Sequence, residues 1–229
     1  ILQKKEIKSI SHLTWDYHNF ISFIKHIKCL KVVGKAFIHP TADVSKHTKL
    51  GTNLNIWHQC QIRENVRIGD NCILGKNVYI DHDVVIGSNV KVQNNASVYF
   101  GSKIEDGVFI GPNVCLANDK APRAITKNEK LKTENDWNAG RIIVKKGASI
   151  GAGSVILPDV IIGKFAMVGA GSLVTKSVPD YALVYGNPAK LKGYVCRCGT
   201  KITKMEEKSK NLILYCSKCQ EKIVTSRIK

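Results

Sequence analysis

Along the middle of the chain an aliphatic residue returns at every sixth position. It stands at Ile38, Val44, Leu50, Ile56, Ile62, Ile68, Leu74, Ile80, Ile86, Val92, Val98, Ile104, Ile110 and Leu116 without a slip, and again at Val144, Ile150, Ile156, Ile162, Val168 and Val174. A period of six matches neither the ~3.6 of an α-helix nor the ~2 of an alternating strand, so a larger unit is repeating. Small or β-branched residues recur four places on, among them Val66, Cys72, Val78, Val84, Val90, Ala96, Val108, Val114, Ala148, Ser154 and Ala166. Gly often follows the aliphatic residue directly, as at Gly51, Gly69, Gly75, Gly87, Gly111, Gly151, Gly163 and Gly169.

This pattern predicts an all-β solenoid of short parallel strands joined by tight turns, with three hexads to a coil. Aliphatic side chains point to one axis, small residues let the corners close, and Gly or Asn supplies the left-handed backbone the turns need. Residues about 18 apart then stack at the strand spacing of about 4.8 Å. The solenoid is expected over residues 36–178. The phase is lost in "ANDKAPRAITKNEKLKTENDWNAGR", residues 117–141, a polar segment expected to leave and return at one corner as a functional loop.

The ends differ from the middle. In residues 1–35, Phe20, Phe23, Ile24, Ile27 and Leu30 fall at helical spacing after Thr14 and Asp16, which predicts a short amphipathic helix. Residues 179–195 contain "VYGNPAK" and are expected to cap the solenoid. Residues 196–229 hold "CRCG" and "CSKC", two close cysteine pairs. Four thiolates so placed suit a tetrahedral zinc, and with Cys196, Cys198, Cys216 and Cys219 filling every position the role would be structural, in a zinc-ribbon-like module. The first pair is C-x-C, tighter than the commoner C-x-x-C. Cys60 and Cys72 occupy the small fourth place of their hexads, and Cys29 and Cys115 also read as packing.

Composition changes this picture little. The formal charge of +17 over 229 residues is concentrated at the ends: residues 1–35 hold seven Lys/Arg against two acids, and 187–229 hold eleven against three. A basic balance suits polyanions generally, phosphorylated cofactors and sugar nucleotides included. Aromatic residues are 7% of the chain, too few for the stacking surface of a nucleic-acid binder, and no specific nucleic acid is expected. With no apolar run of eighteen residues and no leader pattern, the expectation is a chain without a membrane span, located in the cytoplasm.

The hexads, "KVQNNASVY", "GPNVCLANDKAPRA" and "VPDYALVYGNPAKLKGYVCRCG" resemble hexapeptide-repeat nucleotide-sugar N-acetyltransferases over about residues 36–195. The relatives in view acetylate the 3-amino group of UDP-2-acetamido-3-amino-2,3-dideoxy-glucuronate or of dTDP-linked 3-amino-3,6-dideoxyhexoses, in the synthesis of surface-polysaccharide precursors. The resemblance implies a left-handed β-helix, a homotrimer with clefts between solenoids, and acetyl-CoA as co-substrate. It favours the UDP-3-amino-uronate. It also implies that Asn118 holds the amine or acetyl group, that Gly151, Ala152, Gly169 and Ala170 line the coenzyme, and that Lys190 contacts a coenzyme phosphate.

The register places Glu64, His82, Phe100 and Asn118 in one column, with Asp81 opening the same turn as His82, and His58, Lys76 and Asn94 in a second column. N-acetylation needs a neutral amine, a donor for the developing oxyanion and a destination for a proton. Either His82 or Asp119 is the base, or the departing thiolate takes the proton, since a thiol pKa of about 8.5 suffices. Gln93, Asn94, Asn95 and Asp81 are candidate substrate contacts, although the three amides are equally good turn formers, and Arg123 can pair a sugar carboxylate or a diphosphate. Three rivals stand beside this reading. A solenoid carbonic anhydrase needs three converging histidines, an O-acetyltransferase differs only in acceptor, and a nucleic-acid-binding or scaffold solenoid would use the basic ends.

Overall fold

The computed structural model describes residues 36–209 and 211–226. The helix expected within residues 1–35, and Cys29 with it, lies outside them. Strands of two or three residues follow at hexad spacing, with one break between Leu116 and Ile142, from Phe37–Ile38 to Leu173–Val174 and form three parallel sheets, one per side of a prism. The first side starts at Phe37–Ile38, the second at Asp43–Val44 and the third at Lys49–Leu50. Asn55 pairs with Ile73 and Ile73 with Lys91, so every third hexad lands on the same side, as the period predicts.

The cause is the alternation inside each strand pair. The first residue faces out and the aliphatic second residue faces the axis, where from Ile56 to Val174 it is at most 4% exposed. Burying each such side chain contributes roughly 1.5–3 kcal/mol. Fourth-place residues such as Val66, Val90 and Ala96 are also fully buried.

The glycines and asparagines divide a task that the sequence assigns to both. Left-handed backbone falls on the third residue after the aliphatic one, at Asn53, Asn65, Asn71, Asn77, Asp83, Asn89, Asn95 and Asn113, with φ between 55° and 61°. The Gly directly after the aliphatic residue is not left-handed. A Cβ at Gly111 would lie 2.7 Å from the Ala152 amide nitrogen. Close approach of successive turns, rather than a positive φ, therefore excludes side chains there.

Residues 117–141 leave after Cys115–Leu116 and return at Ile142–Val144, between the second and third sides. They fold as an antiparallel excursion: the Gly140 N–H donates to the Asn118 carbonyl at 2.7 Å and the Lys132 N–H to the Ala124 carbonyl at 3.0 Å. A 3-10 turn at Glu134–Asp136 is capped by Thr133. Lys120 pairs with Asp159 at 2.6 Å and ties the root of the loop to the next coil.

At the far end, Ala182–Gly186 adds to the first sheet beside Met167–Val168, and Ala189–Tyr194 returns antiparallel to it. A separate antiparallel sheet of Lys204–Lys208, Asn211–Tyr215 and Lys222–Ser226 follows, with Leu212, Leu214 and Ile223 buried. Among the described residues no helix is long and apolar enough to cross a membrane.

Candidate active site and cysteine centre

The corner between the second and third sides carries the column expected from the register. The His82 ring stacks on Phe100, with centroids 4.5 Å apart, and the Asn118 Nδ2 donates to the Phe100 carbonyl at 3.1 Å. Asn118 is buried, and among the described residues no donor reaches its Oδ1. The His82 Nδ1 lies 2.7 Å from the Asp83 Oδ2, and Nε2 has no partner among the described residues. Arg63 binds Glu64 through two nitrogens, at 2.6 and 3.3 Å, at the base of the column.

Asp81 is the hub behind this column and is 5% exposed. Its Oδ1 accepts from the His82 N–H, the Tyr79 hydroxyl and the Arg63 guanidinium at 2.9–3.0 Å, and its Oδ2 accepts from the Phe100 N–H at 3.1 Å. Burial pushes its carboxyl up, but the two backbone N–H groups and the tyrosine outweigh that and hold it below the ordinary carboxylate range. The Asp81 oxygens are thus committed to protein donors.

The loop folds back onto the same corner. Trp137 meets Phe100 at 5.9 Å with the planes tilted by 41°, which adds a third ring beside the His82–Phe100 stack. The Asp119 Oδ1 accepts from the Ala121 N–H at 2.8 Å and shapes the exit of the loop. Arg123 is exposed, and among the described residues its guanidinium bonds only the Pro122 carbonyl, at 3.2 Å. Asp83 and Trp137 escaped the sequence reading. The adjacency of His82 and Asp83 is visible in the sequence, but Asp83 takes the left-handed turn place that Asn fills in most other hexads, and nothing in the repeat sets it apart. Trp137 lies where the chain has no period to place it.

Gln93, Asn94 and Asn95 lie elsewhere, at the corner between the first and second sides. The Asn94 Oδ1 accepts from the Lys76 N–H at 2.9 Å, and the Asn95 Oδ1 accepts from the Asn77 amide at 3.1 Å, so both serve turn ladders. Gly151, Ala152, Gly169 and Ala170 follow strands of the first sheet and fall on this same corner, farther along the axis. Gly169 lies beneath Tyr185, whose strand partner is Lys190. The residues expected from the sequence to line a coenzyme therefore share one edge of the prism with Gln93 and Asn94, while His82 and Asn118 occupy another.

His58 stacks on His39 at 3.5 Å, a corner away from His82. Among the described residues, His58 and His82 thus stand on different corners and do not meet. Burial raises the thiol pKa of Cys60, Cys72 and Cys115, as expected of packing residues.

Among the described residues, Cys196, Cys198, Cys216 and Cys219 form the only group of three or more potential metal ligands, with all four Sγ atoms within 4.8 Å of one another. Cys196 and Cys219 are 3.4 Å apart and Cys198 and Cys216 are 3.7 Å apart, too far for the ~2.05 Å of a disulfide. Tetrahedral bonds of about 2.3 Å place sulfurs about 3.8 Å apart, so the set fits one zinc. Hydrogen bonds from Thr200 lower the Cys198 thiol to about 6.

The bacterial transferase hexapeptide (six repeats) family matches residues 47–82, 65–100 and 141–176. The dTDP-3-amino-3,6-dideoxy-α-D-galactopyranose 3-N-acetyltransferase of Aneurinibacillus thermoaerophilus is 47% identical over 166 residues, 72% of this chain and 82% of that protein. The galactoside O-acetyltransferase of Lactococcus lactis subsp. lactis is 31% identical over 37% of this chain and 39% of its own. Among solved structures, PerB from Caulobacter crescentus in complex with CoA and GDP-perosamine is 28% identical, with a TM-score of 0.43, over 68% of this chain and 56% of its own. Hexapeptide repeats wind a left-handed parallel β-helix, which gives this solenoid its hand. An unbroken hexad pattern, a matching family model and close identity over most of an N-acetyltransferase's length lead to one conclusion: the chain belongs to the hexapeptide-repeat acetyltransferases.

Proposed function

We propose that the protein transfers the acetyl group of acetyl-CoA to the 3-amino group of a nucleotide-linked 3-amino sugar, a dTDP-3-amino-3,6-dideoxyhexose first. The observation that carries this is the 47% identity to the dTDP-sugar 3-N-acetyltransferase over 82% of its length. The UDP-3-amino-uronate is the second reading, favoured by the exposed Arg123 guanidinium, which has no acidic partner among the described residues and suits a carboxylate. Either product would serve as a precursor for a surface polysaccharide.

The coenzyme supplies an activated acetyl thioester. The Asn118 Nδ2 is anchored on Phe100, so its Oδ1 is left to accept an N–H of the sugar amine and aim the nitrogen lone pair. The His82 Nε2 takes the amine proton as the N–C bond forms and the C–S bond breaks, and then returns that proton to the thiolate. Asp83 holds the Nδ1 side of the ring, which fixes the tautomer that presents a basic Nε2. Phe100 and Trp137 form the apolar wall against which the sugar lies.

His82 and Asn118 stand on one edge of the prism, and Gly151, Ala152, Gly169, Ala170 and Lys190 belong to another. A homotrimer resolves this: packed solenoids bring an edge of one copy against a different edge of the next, so each cleft draws on two copies. The cysteine centre takes one structural zinc, with no open position for chemistry.

Acetyl-CoA-dependent thiol release across a panel of dTDP- and UDP-linked amino sugars tests the reading. Fastest turnover is expected with dTDP-3-amino-3,6-dideoxyhexoses. Turnover only with hydroxyl acceptors would overturn N-acetylation.

A further inference from the structure

The cysteine centre sits two residues beyond the strand Ala189–Tyr194 that carries Lys190, and one side chain links it to the solenoid. Arg197 lies between the ligands Cys196 and Cys198. Its guanidinium sits 5.4 Å from the Phe165 ring centre, its Nε is 3.4 Å from the Tyr181 hydroxyl, and the same Nε is 3.3 Å from Glu221. Phe165 and Tyr181 stack on each other at 5.6 Å on the corner between the third and first sides. The backbone repeats the link, because the Val195 N–H donates to the Tyr181 carbonyl at 2.8 Å and the Ile202 N–H to the Tyr194 carbonyl at 2.9 Å. Glu221 comes from the other cysteine loop, where its carbonyl accepts from the Cys216 N–H at 3.0 Å.

We propose that the zinc centre is a clamp on the coenzyme side of the protein: with the metal bound, Arg197 pins Ala189–Tyr194 against Phe165 and Tyr181, and metal loss frees that strand and weakens coenzyme binding while the solenoid stays wound. The clamp rests on the reading that Lys190 and the Gly169 corner line the coenzyme. Two features make it specific. The sheet around the centre buries few large side chains (Leu212, Ile213, Leu214 and Ile223), and a core this small needs a metal or a disulfide to hold its shape. The solenoid has its own continuous stack of buried aliphatics from Ile56 to Val174 and does not depend on that sheet. Free energy lost at the cysteines is therefore taken from the elements that share hydrogen bonds with them, the cap strand first.

The test uses the full chain in five forms: zinc-loaded, chelator-stripped, Arg197→Ala, Lys190→Ala, and Cys198→Ser combined with Cys216→Ser. Zinc per chain is measured by elemental analysis, binding of coenzyme A by calorimetry, and local opening by amide exchange. One zinc per chain is expected. Stripping should speed exchange over residues 189–202, leave residues 37–174 protected, and weaken coenzyme A binding by at least about fivefold. Arg197→Ala should keep its zinc and still weaken binding roughly two- to fivefold, the worth of an exposed cation–π contact. Zinc-free protein, or zinc retained after Cys198→Ser with Cys216→Ser, overturns the metal site. Zinc lost with exchange and affinity unchanged overturns the clamp alone. A zinc-loaded protein that binds coenzyme A normally with Lys190→Ala overturns the coenzyme reading on which it rests, and loss of protection throughout residues 37–174 overturns the independence of the solenoid.

Discussion

His82 lies nearly parallel to Phe100, with 22° between the ring planes, although a full coil separates them in sequence. The stack holds the imidazole flat against the column, and Asp83 at 2.7 Å fixes its rotation. A ring held on both counts presents Nε2 in one direction, which is what a base aimed at a bound amine requires.

If that nitrogen is the base, His82→Ala lowers turnover by about 10²- to 10⁴-fold with little change in the melting curve. Asp83→Asn costs less, because it disturbs the tautomer and leaves the ring in place. Steady-state rates on the preferred sugar decide it, and near-normal turnover of the alanine variant would hand the proton directly to the thiolate.

Asn118→Ala removes one hydrogen bond to Phe100, worth about 1 kcal/mol of stability, but it also removes the proposed acceptor for the amine. Turnover is expected to fall about 10²-fold, the cost of a misplaced reactant. Comparing rates with denaturant midpoints separates the two effects. A loss of rate no larger than the loss of folded protein excludes Asn118 from the mechanism.

Asp81 gives the corner a pH signature. Its carboxyl is held below the ordinary range of about 3.9, so its stabilisation is present above that value and disappears as pH falls through the lower folded-state pKa. Asp81→Asn should therefore cost about 2 kcal/mol at pH 7, with the gap to the unaltered protein closing below about pH 4. Urea titrations at several pH values measure it. A gap independent of pH would mean that Asp81 acts through shape alone.

Gly111→Ala is expected to destabilise by about 1–3 kcal/mol, because the new methyl meets the Ala152 backbone at 2.7 Å. Asn113→Gly, at a left-handed φ of 58°, should change stability much less. Thermal denaturation of the pair tests the division of labour between the two turn positions. Equal losses would refute it.

The sequence by itself determined the solenoid. A period of six leaves one way to bury twenty in-phase aliphatics, and an 18-residue step then stacks His82, Phe100 and Asn118 whatever the details of packing. Cysteine spacing likewise announced a four-sulfur centre, because ligand chemistry tolerates few alternatives. Only the tertiary structure decided which face each polar residue serves. Asp81 is spent on protein donors, Asn94 and Asn95 stitch turns on a different edge from His82, and Trp137 returns from a loop with no repeat to place it. The physical reason is that apolar burial is periodic and can be read one residue at a time, whereas a hydrogen bond belongs to two groups whose meeting depends on the path of the chain between them.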